Sequence, residues 1–476
     1  MYQFSGKLKT FSIALMIIGA LGVGYSFYSA PKTIEDAKEI IASQHDSHGA
    51  AASHDVVKTD AHTTEDTNKT ATHNEVKTDD HSSADTTAND EHAEHVLHAL
   101  QNKPWAATYV ALFFFLGITL LVLAFYAIQR VAQAGWSVVL FRVMEAITAN
   151  IVPASILMFV VIMTSVGHLN HMFTWMGEGV FDTASPNYDA IVDGKKWWLN
   201  VPGWVMRSTF YLLGWNAYRY FIRKNSIAED TANDGRKTYK RSYHASVIFL
   251  VFFMITESMM SWDWIMGLDP HWFSTLFGWY VLATLLVSAL TVIAFVTIYL
   301  RSKGHLPFVN DSHIHDLAKY MFGFSVFWTY LWFSQFMLIW YADMSEETVY
   351  FIARFNDYKT PFLGMVVMNF VFPILLLINS DYKSKPWFVV IGGLVILTGH
   401  YIDVFVMIMP ATVGDQWSIG IPELSAISFF IGLFIFVTFR AFSKAAPLAT
   451  GNPFLHESEH FHYYNIEHEG EENHHH

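Results

Sequence analysis

Ten blocks of this sequence run for about 20 residues or more with few charged side chains. They lie near 9–29, 107–130, 139–166, 201–222, 244–266, 271–300, 316–342, 361–379, 386–408 and 422–441. At 1.5 Å of rise per residue, a block of that length crosses the roughly 30 Å hydrocarbon layer of a bilayer as a helix. Lipid offers no hydrogen bonds, so each such segment must satisfy its backbone internally, which a helix does. Composition agrees. Of 476 residues, 53% are hydrophobic and only 15% charged, where a soluble chain carries about 25% charged. The expected fold is an all-α integral membrane protein with ten transmembrane helices.

Lys and Arg set the orientation. Lys7 and Lys9 precede the first block. Arg223, Lys224, Arg236, Lys237, Lys240 and Arg241 follow the fourth, and Arg301 and Lys303 the sixth. Lys383 and Lys385 follow the eighth, Arg440 and Lys444 the tenth. All fall on one side if both termini are cytoplasmic, so a multi-pass layout of ten spans with both termini inside is self-consistent. The opposite loops are poor in Lys and Arg apart from the long one and the pair Lys195 and Lys196.

The domain reading follows the blocks. Residues 1–30 form an N-terminal anchor, since the aromatics of "GYSFYSAPK" do not suit a signal-peptidase site. Residues 31–104 read as a disordered periplasmic linker rich in His and Asp, with too few aliphatics to offset the entropy of ordering. Residues 105–270 and 271–410 read as two four-helix bundles, 411–445 as the last span, and 446–476 as a solvated cytoplasmic tail. The first and last spans are then two peripheral helices. A four-span repeat has an even helix count, so its copies would be parallel.

No cysteine occurs. That excludes disulfides, thiolate-held iron–sulfur clusters and covalently attached c-type haem. The net charge of −13 is concentrated in the linker and tail and offers no basic surface for nucleic acid. A membrane haem needs two facing histidines at similar depth, and only His400 is deep. No metal ligand set is expected.

Ionisable residues inside a membrane are costly and are functional candidates. Arg142 and Glu145 are three apart and share a helix face. They are either a local ion pair or a cytoplasmic uptake point for protons. Glu257 lies about two-thirds of the way across and must either pair or hold its proton. Arg207, at a comparable depth on the preceding span, is its expected partner. The alternatives are a proton relay or a quinol-contacting acid. Asp263 sits between Trp262 and Trp264 near the outer interface, where hydration is cheaper. Asp269 and His271 form a short outer turn, with Pro270 starting the next span. His400 and Asp403, also three apart, form either a proton-passing pair or a satisfied link between helices. Trp262, Trp264, Trp272, Trp279, Trp328, Trp332 and Trp340 anchor and pack, or line a quinone-sized cleft.

The strings "TESMMSWDWIMGLDPHWFSTLFGWY" and "GHYIDVFVMIMP", set in a ten-span layout without redox ligands, resemble the polysulfide-reductase-type (NrfD-like) membrane subunits. Within that family they resemble the F-type subunits of bacterial alternative complex III. The resemblance covers about residues 105–445. It implies a non-redox subunit of a respiratory quinol:cytochrome c (or other acceptor) oxidoreductase. Its partners would be iron–sulfur and c-type haem subunits, a homologous NrfD-like membrane subunit and a terminal oxidase. Quinone or menaquinone and lipids are the implied small molecules. The implied proton-path residues are Glu257, Asp263, His400 and Asp403; Glu145 and Arg207 join them from the reading of the spans. A stand-alone secondary proton or ion transporter would also explain buried carboxylates.

Overall fold

The computed structural model describes residues 2–51, 81–232 and 236–462, and side chains outside 43–51 and 81–92. No strand occurs among them. The helices in chain order are α1 (Gly6–Ser29), α2 (Ile34–Ala51), α3 (His81–Val131), α4 (Phe141–Ile147), α5 (Ile151–Val166), α6 (Ala190–Asp193), α7 (Val201–Glu229) and α8 (Lys237–Trp264). They continue with α9 (Phe277–Ser302), α10 (Asp311–Ala342), α11 (Ser345–Asn356), α12 (Lys359–Val366), α13 (Phe372–Leu377), α14 (Ser380–Ser384), α15 (Pro386–Val413), α16 (Ile421–Phe442) and α17 (Leu455–Glu459).

Nine helical segments among the described residues are long and apolar enough to cross a membrane: α1, Ala93–Val131, Gly135–Val166, Lys237–Leu268, α9, α10, Lys359–Leu377, α15 and α16. The fourth block of the sequence is the 29-residue α7. It is long enough, but Arg207, Asn216 and its Trp and Tyr residues lower its hydropathy.

α3 is the axis of the packing. It touches α5, α8, α9, α15 and α16, and its apolar stretch is almost wholly buried. α7 lies along α8, and α9 lies against both α10 and α15. α1 packs along α16 and leaves Ile17, Ile18, Leu21 and Tyr28 exposed. Gly19 makes that contact possible, because a Cβ there would meet the Phe429 backbone nitrogen at 2.4 Å.

Several tertiary contacts define one end of the molecule, called the basic end here for the Lys and Arg in its loops. Tyr2 packs on His305 and Phe442. Asn310 Nδ2 donates to the Phe461 carbonyl at 2.6 Å. The tail, expected to be solvated, is docked at this end as far as residue 462. Ser458 is buried, donates to the Trp136 carbonyl at 2.7 Å and accepts from Val139 N–H at 3.1 Å. Its carbonyl lies 3.0 Å from His313 Nε2. The tail is ordered here because a short turn supplies partners that the helix ends lack.

Three boundaries differ from the sequence reading. The stretch 31–104, expected to be disordered, is helical over α2 and from His81 onward. Ala37, Ala93, Val96 and Leu97 are buried where α2 meets α3, so sparse aliphatics at helical spacing suffice for packing. Residues 52–80 of that stretch lie outside the described residues. The span expected to begin at Pro270 begins at Phe277, and the intervening residues form turns. The eighth block is not a uniform helix, since Val367–Val371 is a π-turn between α12 and α13.

Candidate functional site

The basic end holds a closed charge network. Arg142 and Glu145 do meet, with Nη1 2.8 Å from Oε2. Glu145 also accepts from Tyr126 OH at 2.9 Å, from Arg223 and from Ser226. Arg130 binds Glu229 through two parallel bonds of 2.9 and 3.0 Å and donates from Nε to Tyr126 OH at 2.8 Å. Arg142 reaches Asp230, and Ser242 donates to Glu229 at 2.5 Å. Three guanidiniums thus face three carboxylates, and Glu145 is fully partnered. That pattern fits a clamp between α3, α4, α7 and α8 better than an uptake point for protons.

At the opposite end, Asp263 is fully buried. Arg207 binds it with Nη2 to Oδ1 at 2.7 Å and Nε to Oδ2 at 2.9 Å, and Tyr211 OH donates to Oδ2 at 2.8 Å. Trp204 Nε1 holds the Asp263 carbonyl at 3.0 Å, and the guanidinium lies 4.1 Å over the Trp198 ring. Two expectations are corrected here. Arg207 pairs with Asp263 rather than Glu257, and Asp263 is buried rather than at the open interface. Cα depth alone favoured Glu257. A helical side chain, however, leans toward its own N-terminus. On α7 that carries the long Arg207 side chain outward, to the level of the last turn of α8.

Glu257 is left without a cation. It is 1% exposed, and no ion-pair partner lies near it among the described residues. Its polar neighbour is Ser261, whose hydroxyl is 3.4 Å from Oε1 and 3.1 Å from the Glu257 carbonyl.

Asp403 is the centre of a second arrangement. Tyr280 OH donates to Oδ1, Thr284 Oγ1 to Oδ2 at 2.7 Å, and Trp328 Nε1 to Oδ2 at 2.8 Å. No Lys or Arg pairs with it among the described residues. His400 is on the same face, as its spacing predicts, but its Nδ1 is 3.7 Å from Oδ2, too long for a hydrogen bond. The His400 ring stands edge-on to Trp328 at 5.4 Å.

Around this pair, several buried polar atoms have no hydrogen-bond partner among the described residues. They are both ring nitrogens of His400, both amide atoms of Asn369, Gln335 Nε2 and Trp332 Nε1. The π-turn presents Asn369 to Gly399, where a Cβ would lie 2.1 Å from Asn369 Oδ1. Groups of this kind are what ordered water satisfies inside proteins.

Two cavities lie on this side of the bundle, and Asp403 lines the smaller. A small one of about 10 Å³ is bounded by Asp403, Gln335, Trp332, Tyr350 and Met407. A larger one of about 190 Å³, toward the end opposite the basic loops, is bounded by Asp269, Trp272, Arg354, Tyr350 and Met407. Tyr350 and Met407 are the shared wall. Arg354 is buried, 3.3 Å over the Tyr350 ring, and donates to the Tyr350 carbonyl at 2.7 Å. Burial lowers its pKa from the ordinary guanidinium value, although Tyr350, Tyr280 and Asp269 pull the other way. The sequence reading passed over Arg354. Its signal was present, as an arginine in a loop on the side otherwise poor in Lys and Arg.

A third cavity, of about 300 Å³, is an apolar cleft walled by Trp197, Trp198, Trp262, Trp272 and Phe273. Trp198 is the ring that Arg207 covers, so the Asp263 pair backs this cleft. Among the described residues no three His, Asp or Glu side chains form a ready ligand set for a metal. Set beside known proteins, the chain matches no family model and no curated protein.

Proposed function

We propose that the chain is a ten-span subunit of a respiratory quinol:acceptor oxidoreductase in a bacterial inner membrane, and that its second bundle carries protons. The observation that carries this reading is Asp403. It is a buried carboxyl held by neutral donors, beside polar atoms without partners among the described residues. The small cavity at its side shares Tyr350 and Met407 with the one that Asp269 and Arg354 line. A group that changes protonation during turnover needs such surroundings, because a permanent cation would fix its charge.

In this proposal α7 is the tenth span. Its exposed Met206, Phe210, Leu213 and Tyr220 suit lipid. One four-helix bundle comprises α3, α4–α5, α7 and α8, and the other α9, α10, α12–α13 and α15, with α1 and α16 beside them. Both termini lie on the cytoplasmic side with the basic loops. Protons leave Asp403 past Tyr350 to the outer cavity. Glu257 is the corresponding lone carboxyl of the first bundle, and His400 exchanges protons with Asp403 when water or a small rotation closes their gap. The aromatic cleft is flat-walled and suits a quinone ring. Electrons travel in partner chains with iron–sulfur clusters and c-type haem beside a homologous membrane subunit, and then to a terminal oxidase. The resemblance of "SWDWIMGLDPHW" to the NrfD-like subunits supports that placement.

The test is the proton-to-electron ratio of the purified complex in liposomes. Asp403→Asn and Glu257→Gln should assemble normally and lower that ratio, Asp403→Asn by half or more. Wild-type ratios in both would sink the relay. The unpaired Glu257 fits equally a stand-alone transporter, which predicts proton uptake by liposomes holding this chain alone.

A further inference from the structure

At the end opposite the basic loops a pocket of about 680 Å³ lies between α3, the loop after α5 and the end of α15. Four histidines line it: His95 and His98 from α3, His168 and His171 from the loop. The function proposed above uses none of them. The rings of His98 and His171 meet edge to face, with centroids 5.2 Å apart and planes at 73°. Imidazole nitrogens bind zinc at about 2.0–2.1 Å. Two rings on one tetrahedral ion therefore have centroids roughly 5 Å apart. The pair already has the separation that a shared ion imposes.

The frame around the pair is fixed. Asn102 is buried, accepts the His171 backbone N–H at 3.0 Å and donates to the Thr412 carbonyl at 3.3 Å. His168 sits three residues earlier in the left-handed region, at φ 55°, a conformation that histidine adopts more readily than most residues with a side chain. The rim is acidic. Glu94 lies 3.9 Å from His98, and Asp415 lines the far wall. The nearby Lys103 is turned aside onto Ser418 Oγ at 2.6 Å.

We propose that His98 and His171 bind a divalent transition-metal ion of the zinc class, with His168 rotating in as third ligand and water as the fourth. The ion would pin the loop after α5 to α3. The three rings do not yet converge, so the site closes on the ion.

The test is residue-resolved. Full-length protein is titrated with Zn²⁺, and diethylpyrocarbonate labelling of each histidine is read by mass spectrometry, which separates this site from histidines elsewhere in the chain. His98 and His171 should become protected with one common midpoint, while His305 stays unchanged. His171→Ala should raise the His98 midpoint by about tenfold or more, and His168→Ala should raise it less. His171→Gln serves if the alanine variant melts early. Protection of His98 at an unchanged midpoint in either His171 variant, or no protection of the pair, would overturn the proposal.

Discussion

Asp263 and Asp403 are both completely buried, and each lies on a 28-residue helix that packs against α3. Their surroundings are opposite. Asp263 has a two-pronged guanidinium and a tyrosine. Asp403 has a tyrosine, a threonine and a tryptophan, with a histidine just out of reach. A carboxylate tied to arginine is a fixed charge pair, and removing one member strands the other in a low dielectric. A carboxyl among neutral donors strands no opposite charge when it takes up a proton. The first arrangement secures helices, and the second is suited to a group that changes state. Burial by itself does not tell the two apart.

The largest expected effect tests the fixed pair. Arg207→Met should destabilise the protein by about 3 kcal/mol, the low end for a broken buried pair because Arg207 is partly exposed. Arg207→Met/Asp263→Asn should be more stable than the single variant, since the second change removes the stranded charge. Thermal melts in one detergent measure both. A double variant less stable than the single one would break the distinction between the two aspartates.

Gly399→Ala probes the other side. The new methyl would collide with Asn369, and overpacking of this kind costs about 1–3 kcal/mol. Its stability loss should be partly recovered by Asn369→Ala, and a melt series on the three variants reads that coupling.

A smaller effect is expected outside the membrane segments. Asp189 caps α6 by accepting the N–H groups of Ile191 and Val192, and it lies 2.5 Å from His271. Burial opposes its ionisation, but the Val192 N–H, His271 and the Ile191 N–H outweigh that and hold it below the usual carboxylate range. The folded-state value is thus the lower one. The stabilisation is complete above the unfolded value of about 4 and is lost as pH falls through the folded value. Asp189→Ala should cost about 1 kcal/mol at neutral pH, and its melting-temperature gap from wild type should close on acidification.

The smallest effect is expected for Glu257→Gln. No cation is stranded by the change, so stability should move by less than about 1 kcal/mol. A loss as large as that of Arg207→Met, measured in the same melts, would reveal an ionic partner for Glu257.

Part of the site was legible in the sequence because it is local. Arg142 with Glu145, and His400 with Asp403, share faces through helical spacing of three, which needs no tertiary knowledge. The partner of Arg207 was not legible. Glu257 and Asp263 are six residues apart on α8, and the direction in which Arg207 leans decides between them. Arg354 was hidden for a similar reason. A loop arginine reads as solvated until α11 folds it over Tyr350. α2 and the first turns of α3 were hidden because their apolar residues are few, and only contact between the two gives them something to bury.

The sequence by itself determined that the chain is helical and built for a bilayer, because long apolar runs leave the backbone no other way to satisfy its hydrogen bonds. It also determined which carboxyls would be expensive. The tertiary structure alone decided which of them received a cation, since that depends on where side chains from separate helices meet, and a linear pattern does not carry that distance.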